Sequence, residues 1–131
     1  QKQPIIILNG DLLTRLNLNR ILEFHNDHDG SATLGVRNFS EKIPYGIVEI
    51  DGTKLKSFEE KPTFSYLVNA GVYILDPSLL SLLNDEEYID MPELLQKAKS
   101  LNHIINVCPI HEYWLDIGKP EFLKKANNEW Y

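Results

Sequence analysis

The chain has 131 residues, enough for one domain with a real core and too few for two ordinary ones. Its 43% hydrophobic and 24% charged residues are close to the average for soluble globular proteins. The formal net charge of −6 speaks against nucleic-acid binding, because phosphate backbones select basic surfaces.

No apolar run approaches the ~20 residues of a membrane span, and no signal peptide is visible. A soluble, cytoplasmic protein is therefore expected, with no membrane partner. Cys108 is the only cysteine, so an intrachain disulfide is excluded. It lies in the apolar run "INVCPI", which predicts a buried structural thiol.

The first element is "IIILNGD", residues 5 to 11. Four apolar residues running into Asn-Gly-Asp predict a strand buried on both faces, as in parallel sheets. "NLNRILEFHNDHDG" predicts a helix: Leu18, Ile21, Leu22 and His25 share one face, Asn17 caps the start, and Gly30 lies beyond the end. "SATLGVRN", Ser31 to Asn38, completes a strand–helix–strand unit, and "EKIP" is a break. "YGIVEIDGTKLKSFEEKP" predicts a hairpin turning at Asp51-Gly52, with "KPTFSYLV" as a connection.

"NAGVYIL" is the next strand, and Asp76-Pro77 starts a helix with Leu79, Leu80, Leu82 and Leu83 on its apolar face. Asp90 and Glu93 have capping-box spacing ahead of a second helix. "HIINVCPI" is a strand, "YWLDIG" extends or follows it, and a last helix starts near Lys119 with Phe122, Leu123, Ala126 and Trp130 on one side. The expected fold is α/β, three-layered, with a mostly parallel mixed sheet and an inserted β-hairpin, in a single domain over residues 1–131.

Several groups carry candidate chemistry. Asp11 ends a strand, where open α/β sheets gather ligands, and it serves either a metal or polar ligand or the local turn. Asp116 in "YWLDIG" is a second carboxylate of the same kind, or an ordinary loop residue. Two such carboxylates on one sheet edge suit Mg²⁺, a hard cation that also keeps waters and substrate phosphates. In "FEEKP", one of Glu59 and Glu60 faces solvent and the other a cleft, and Lys61 suits either a phosphate or a surface ion pair.

Other patterns are discounted. "HNDHDG" lacks a third well-placed metal ligand, and His25 is expected to pack or hydrogen-bond at a helix end. "HEYWL" is not a zinc-protease motif, because Leu115 stands where the second His belongs. His103 has no companion in the sequence. The chain has no G-x-x-x-x-G-K-[ST], so the P-loop reading of Asp11 lacks its phosphate cradle.

Taken in order, "ILNGD", "YGIVEID", "FEEKP", "NAGVYIL", "IDMPELL" and "YWLDIGKPEFL" resemble the motifs of sugar-1-phosphate nucleotidyltransferases over nearly the whole chain. That family includes glucose-1-phosphate thymidylyltransferases and mannose-1-phosphate guanylyltransferases. The resemblance implies an enzyme that transfers a nucleotidyl group from an NTP to a hexose 1-phosphate, with release of pyrophosphate. It implies Mg²⁺ held by Asp11 and Asp116. It assigns Lys61 to the sugar phosphate, Glu60 and Asn69 to the sugar, and Gly46 and Gly71 to close backbone approach. Catalytic standing falls to Asp11, Lys61 and Asp116. Asn69-Ala70-Gly71 and "YIDMPELL" look most like the mannose-1-phosphate guanylyltransferase branch.

One departure is large. The family's G-x-G-T-R-L loop, which wraps the NTP phosphates, occurs nowhere in the chain. The expectation is a partial nucleotidyltransferase domain, holding the acceptor and metal residues and inactive by itself. A non-catalytic regulatory or interaction module is the alternative. The strand at residues 5–8 is then expected to be an exposed apolar edge, open to self-association.

Overall fold

A computed structural model describes residues 3–130. The chain divides into two compact units, residues 1–37 with 69–131, and residues 38–68. The first unit is built on a four-stranded sheet in the order β1 (Ile5–Leu8), β6 (Thr63–Leu75), β3 (Ala32–Lys42), β7 (Ile105–Pro109). β1 pairs antiparallel with β6, and β3 pairs parallel with β7. The sheet is therefore mixed, as expected, but with one pairing of each kind here it is not mostly parallel, and that part of the expectation is corrected.

Burial explains the order. Ala70 and Val72 to Leu75 in β6 are each 2% exposed or less, so this strand is covered on both faces. Tyr73 and Leu75 point to one cluster with Ala32, Leu79, Leu94 and Ala98. Ala70, Val72 and Ile74 point to the other, with Ile21 and Ile110. Helix α1 (Leu18–Asp27) supplies Ile21 to one face, and α2 (Met91–Ser100) supplies Leu94, Leu95 and Ala98 to the other. Helices on both faces give the three layers expected.

"NAGVYIL" is thus the doubly buried strand, and "IIIL" is not. Among the described residues β1 has a neighbour on one side only, and Ile6 and Leu8 are 37% and 47% exposed. The edge position expected for residues 5–8 is the one observed. A second sheet, missed in the sequence, joins β2 (Leu12–Thr14) antiparallel to β8 (Trp114–Asp116). Three-residue strands with partners a hundred positions away leave no local periodicity to detect.

Caps show what local signals decide. The Asn17 side chain accepts from Asn19 N at 3.0 Å, as an N-cap should. Asp76 makes no side-chain cap, and the segment after it is a 3₁₀ turn, Pro77–Leu82, with Leu79 buried and Leu80 exposed. Asp90 also caps nothing with its side chain, so the expected capping box is absent. At the other end of α2, Asn102 takes a positive φ of 67°. His103 N then reaches Ala98 O and Asn102 N reaches Lys99 O, a Schellman ending.

The second unit contains the hairpin β4 (Ile47–Asp51) and β5 (Lys54–Glu59). Asp51 pairs with Lys54, so the turn residues are Gly52-Thr53, one position later than expected, with Gly52 at φ 61°. "EKIP" and "KPTFSYLV" also differ from expectation. β3 runs on to Lys42 and β6 begins at Thr63. Pairing supplies their backbone hydrogen bonds despite a polar sequence; Ser40 Oγ and Ser65 Oγ lie 2.9 Å apart.

The two faces of β1 and β6 make separate predictions. Ile74→Ala removes a fully buried side chain and is expected to cost about 2–5 kcal/mol in urea unfolding, whereas Ile6→Ala should cost well under about 1 kcal/mol. The open β1 edge is expected to pair with a second chain, detectable by sedimentation velocity. Ile6→Lys should raise the monomer fraction, and a monodisperse wild-type monomer would exclude this pairing.

Candidate active site

Asp11 and Asp116 are 105 positions apart in sequence and meet through β2 and β8. Leu12 pairs with Asp116, and Ile117 N donates to Asp11 O at 2.8 Å. Gly118 N donates to Asp116 Oδ1 at 2.8 Å, which orients that carboxylate. A Cβ on Gly118 would lie 2.8 Å from Asp11 Oδ2 and 3.0 Å from Asp116 Oδ1. Both carboxylates therefore converge on a space that exists because residue 118 has no side chain. The sequence assigns Gly118 no role of its own; its signal is its place two residues after Asp116 in "YWLDIG".

The donor set suits a hard divalent cation. Both groups are carboxylates, and no cluster of three or more His, Cys, Asp or Glu ligands stands among the described residues. A cation here has two protein ligands at most from such residues, leaving positions for water and phosphate oxygens, the pattern of Mg²⁺ at phosphate-transfer sites.

Asn69 and Gly71 are also brought together. Gly71 N donates to Asn69 Oδ1 at 2.8 Å, and Asn69 Nδ2 donates to Tyr73 OH at 2.8 Å. Gly71 has φ 72°, and a Cβ on it would stand 2.5 Å from Asn9 Nδ2. The space at Gly71 is taken by the Asn9 side chain, a residue that sequence reasoning left without a role. Asn9, Asn69 and Tyr73 border an open cleft of about 410 Å³ that residues 89–92 line as well.

The second unit carries Gly46, Glu60 and Lys61. A Cβ on Gly46 would meet the Phe58 ring edge and come 3.2 Å from Glu60 Oε2. Glu60 is therefore the carboxylate directed over Gly46, and Glu59 pairs with Ile47 across the hairpin. Lys61 is exposed, has φ 43°, and has no ion-pair partner among the described residues. A lysine in the left-handed region immediately before a proline is held against its own preference.

Three of the four histidines bond to neighbours within the fold. Buried His25 bonds Thr33 Oγ1 through Nδ1 at 2.9 Å and lies 3.5 Å from Asp76. His28 Nδ1 donates to Phe24 O at 2.7 Å while the two rings stack. His103 does have a companion, Ser31 Oγ at 2.8 Å, which the sequence did not reveal. Trp114 donates from Nε1 to Ala70 O at 2.6 Å, and Arg37 lies 4.6 Å over its ring.

A converging carboxylate pair beside a mixed α/β sheet is an arrangement chemically able to hold a divalent cation. The chain belongs to the nucleotidyl transferase family, whose model matches residues 1–130. It is 31% identical over 127 residues to a mannose-1-phosphate guanyltransferase of Pichia angusta, covering 90% of this chain and 34% of that protein. It is 30% identical over 122 residues to mannose-1-phosphate guanylyltransferase 1 of Arabidopsis thaliana, again covering 90% and 34%.

The chain thus spans about a third of the length of the curated relatives it matches. Among solved structures, HddC from Yersinia pseudotuberculosis superposes with a TM-score of 0.67 at 22% identity, over 100% of this chain and 57% of that one. A structure of HddC complexed with GMP-PN gives 0.65. At this identity the likeness is one of fold. No helix among the described residues is long and apolar enough to cross a membrane.

Cys108 is half-buried rather than fully buried, packed against the Ile21–Ile110 cluster. Burial raises its thiol above the ordinary value, Arg20 opposes this, and Glu112 adds to it. A raised pKa keeps the neutral thiol to higher pH, so alkylation by iodoacetamide should be slow at pH 7. Its rate should rise with a midpoint above that of a free cysteine. A midpoint at or below the free value would contradict this assignment.

Proposed function

We propose that this chain is the acceptor- and metal-binding part of a sugar-1-phosphate nucleotidyltransferase. The reaction joins an NTP and a hexose 1-phosphate into a nucleotide sugar and pyrophosphate, with GTP and mannose 1-phosphate as the favoured pair. The observation that carries the proposal is the convergence of Asp11 and Asp116 on the space above Gly118. The sequence likeness to mannose-1-phosphate guanylyltransferases supports the choice of base and sugar.

In this reaction a phosphate oxygen of the acceptor attacks the α-phosphorus of the NTP. The bond to the β-phosphate bridging oxygen breaks, and pyrophosphate leaves. No protein nucleophile is required; the protein supplies positioning and charge. Asp11 and Asp116 would hold Mg²⁺, which when bound neutralises charge on phosphate oxygens. Lys61 presents a compact positive charge to the acceptor phosphate. Glu60, directed over Gly46, accepts hydrogen bonds from sugar hydroxyls. Asn69, fixed by Gly71 N and Tyr73 OH, offers its second amide hydrogen to the sugar.

The test separates binding from turnover. Mn²⁺ binding followed by electron paramagnetic resonance should weaken at least about tenfold in Asp11→Asn and Asp116→Asn. Gly118→Ala should weaken it too, by placing a methyl between the carboxylates. Lys61→Ala should weaken mannose 1-phosphate binding in calorimetry and leave Mn²⁺ binding intact. The 131-residue chain, whose sequence holds no G-x-G-T-R-L loop, is expected to release no pyrophosphate from GTP and mannose 1-phosphate. Mn²⁺ affinity unchanged in all three site variants would overturn the metal assignment, and pyrophosphate release would overturn the inactivity.

A further inference from the structure

Asn9 is the only asparagine of the chain that is followed by glycine. That dipeptide is chemically unstable wherever its atoms can meet, because the asparagine side-chain carbonyl carbon and the next backbone nitrogen close a five-membered ring. Glycine in the second place has no Cβ to block the approach and leaves the backbone free to turn. Asn9 and Gly10 are both exposed, in the turn between β1 and β2. A Cβ built on Gly10 would meet nothing within 4 Å, so open space surrounds the attacking nitrogen.

Hydrogen bonds do not hold the reacting groups apart. Asn9 N donates to Gly71 O at 2.9 Å, but that nitrogen is outside the ring that forms. Among the described residues, no hydrogen bond engages the Asn9 carboxamide or the Gly10 N–H. The carboxamide lies over Gly71 without bonding to it. Other asparagines supply the contrast. Asn17 caps α1, Asn69 is fixed by Gly71 N and Tyr73 OH, Asn84 bonds Glu87, and Asn106 bonds Asp29 O. Each must break a bond first, and each is followed by a residue larger than glycine.

We infer that Asn9 is a self-modification site, deamidating through a succinimide to isoaspartate and aspartate in the folded protein. Gly10 N attacks Asn9 Cγ and gives up its proton to solvent. The Cγ–Nδ2 bond breaks, and the amide nitrogen leaves as ammonia. Water then opens the succinimide. Opening at Cγ gives aspartate. Opening at the backbone carbonyl carbon gives isoaspartate, in which the main chain runs through Cβ and Cγ. The modification itself assumes nothing about the reaction the protein catalyses.

Its consequence reaches Asp11, two residues on. Isoaspartate adds one methylene carbon to the main chain between β1 and β2. Asn9 N stays pinned to Gly71 O, and Asp11 O is held by Ile117 N at 2.8 Å. The extra atom is therefore absorbed between these two bonds, and it displaces the Asp11 carboxylate relative to Asp116. This link rests on the proposed function: the cation site decays as the protein ages.

The test incubates wild type and Gly10→Ala at mildly alkaline pH, folded and in urea. Gly10 has no positive φ and open surroundings, so alanine fits there and the urea midpoint should be unchanged. In folded wild type, peptide mass spectrometry should find the mass gain of NH₂ replaced by OH at residue 9. Ammonia should be released, and isoaspartyl methyltransferase should label the product. Gly10→Ala should react at least about tenfold more slowly. Asp29-Gly30 and Asp51-Gly52 can also isomerise, but they release no ammonia and keep their mass. An open site reacts within about tenfold of the rate in urea, since no unfolding step precedes the attack. A folded chain slower than that overturns the inference, and so does a mass gain at residue 9 that Gly10→Ala does not slow.

Mn²⁺ binding by electron paramagnetic resonance reads the consequence. Converted wild type should bind at least about tenfold more weakly than fresh protein. Incubated Gly10→Ala should keep its affinity. So should fresh Asn9→Asp, which carries a product side chain without the extra backbone atom. Equal affinity in fresh and converted wild type overturns the link to Asp11 and leaves the modification standing. No Mn²⁺ binding by fresh wild type overturns the functional reading and that link together, while the mass measurement decides the modification by itself.

Discussion

Ala70 is fully buried, and its carbonyl accepts a hydrogen bond from a side chain, Trp114 Nε1, at 2.6 Å. That bond ties the small β2–β8 sheet to the central strand of the large one. Without it, the indole nitrogen and the carbonyl would both lose a partner in a half-buried setting, at a cost of about 1–3 kcal/mol each. Asp116 sits two residues beyond Trp114 on the same short strand, so its position is inherited from this anchor. Arg37 stacks over the same indole and donates to Trp114 O at 3.3 Å, which further fixes the residue. No buried side-chain polar atom among the described residues lacks a partner, and this bond helps explain why.

The backbone at Gly71 makes the second contribution. Its φ of 72° turns β6 where Asn69 folds back to bond Gly71 N, and it opens the space that Asn9 fills. Asn9 N in turn donates to Gly71 O at 2.9 Å. A residue with a side chain at position 71 would be strained by its φ and would meet the Asn9 amide. The end of β1 and the start of the buried part of β6 are thus locked to each other. Asp11 lies two residues past Asn9, so both strand-end carboxylates are held by short connections to the same strand.

Much of this was legible in the sequence. α1 with its Asn17 cap, the hairpin and α2 carry local patterns that packing did not overrule, whereas the apolar run of "IIIL" showed a strand but not its edge position. β6 was half legible: "NAGVYIL" shows its apolar run, but the polar "TFSYL" before it becomes strand only through pairing with distant residues. Asp76 and Asp90 showed the limit of capping signals, since each carboxylate had another partner within reach, His25 and Tyr88. Asp11 and Asp116 were found through ordered motifs, because nothing local relates residues so far apart. Gly118 and Asn9 were missed for one reason: their roles consist of space left or filled by a neighbour, and a sequence does not display space.

Lys61 shows how strain is held in this chain. Its φ of 43° precedes Pro62, where the proline ring already disfavours helical backbone. Such a conformation costs on the order of 1–3 kcal/mol and persists only where neighbours over-determine it. The neighbours are visible: Pro62 is buried, and its carbonyl accepts from Ile43 N at 2.9 Å. The proline is therefore pinned from β3's end while β5 is pinned by the hairpin ladder, and the left-handed residue absorbs the mismatch between them. A surface lysine serving only as a solvated charge gains nothing from this arrangement, since a relaxed turn would expose the ammonium equally well. Under the proposed function the strain has a use. It fixes the backbone under Lys61 and keeps the adjacent Glu60 carboxylate over Gly46, so that charge and acceptor are ordered before a ligand arrives and less of the binding energy goes into ordering them.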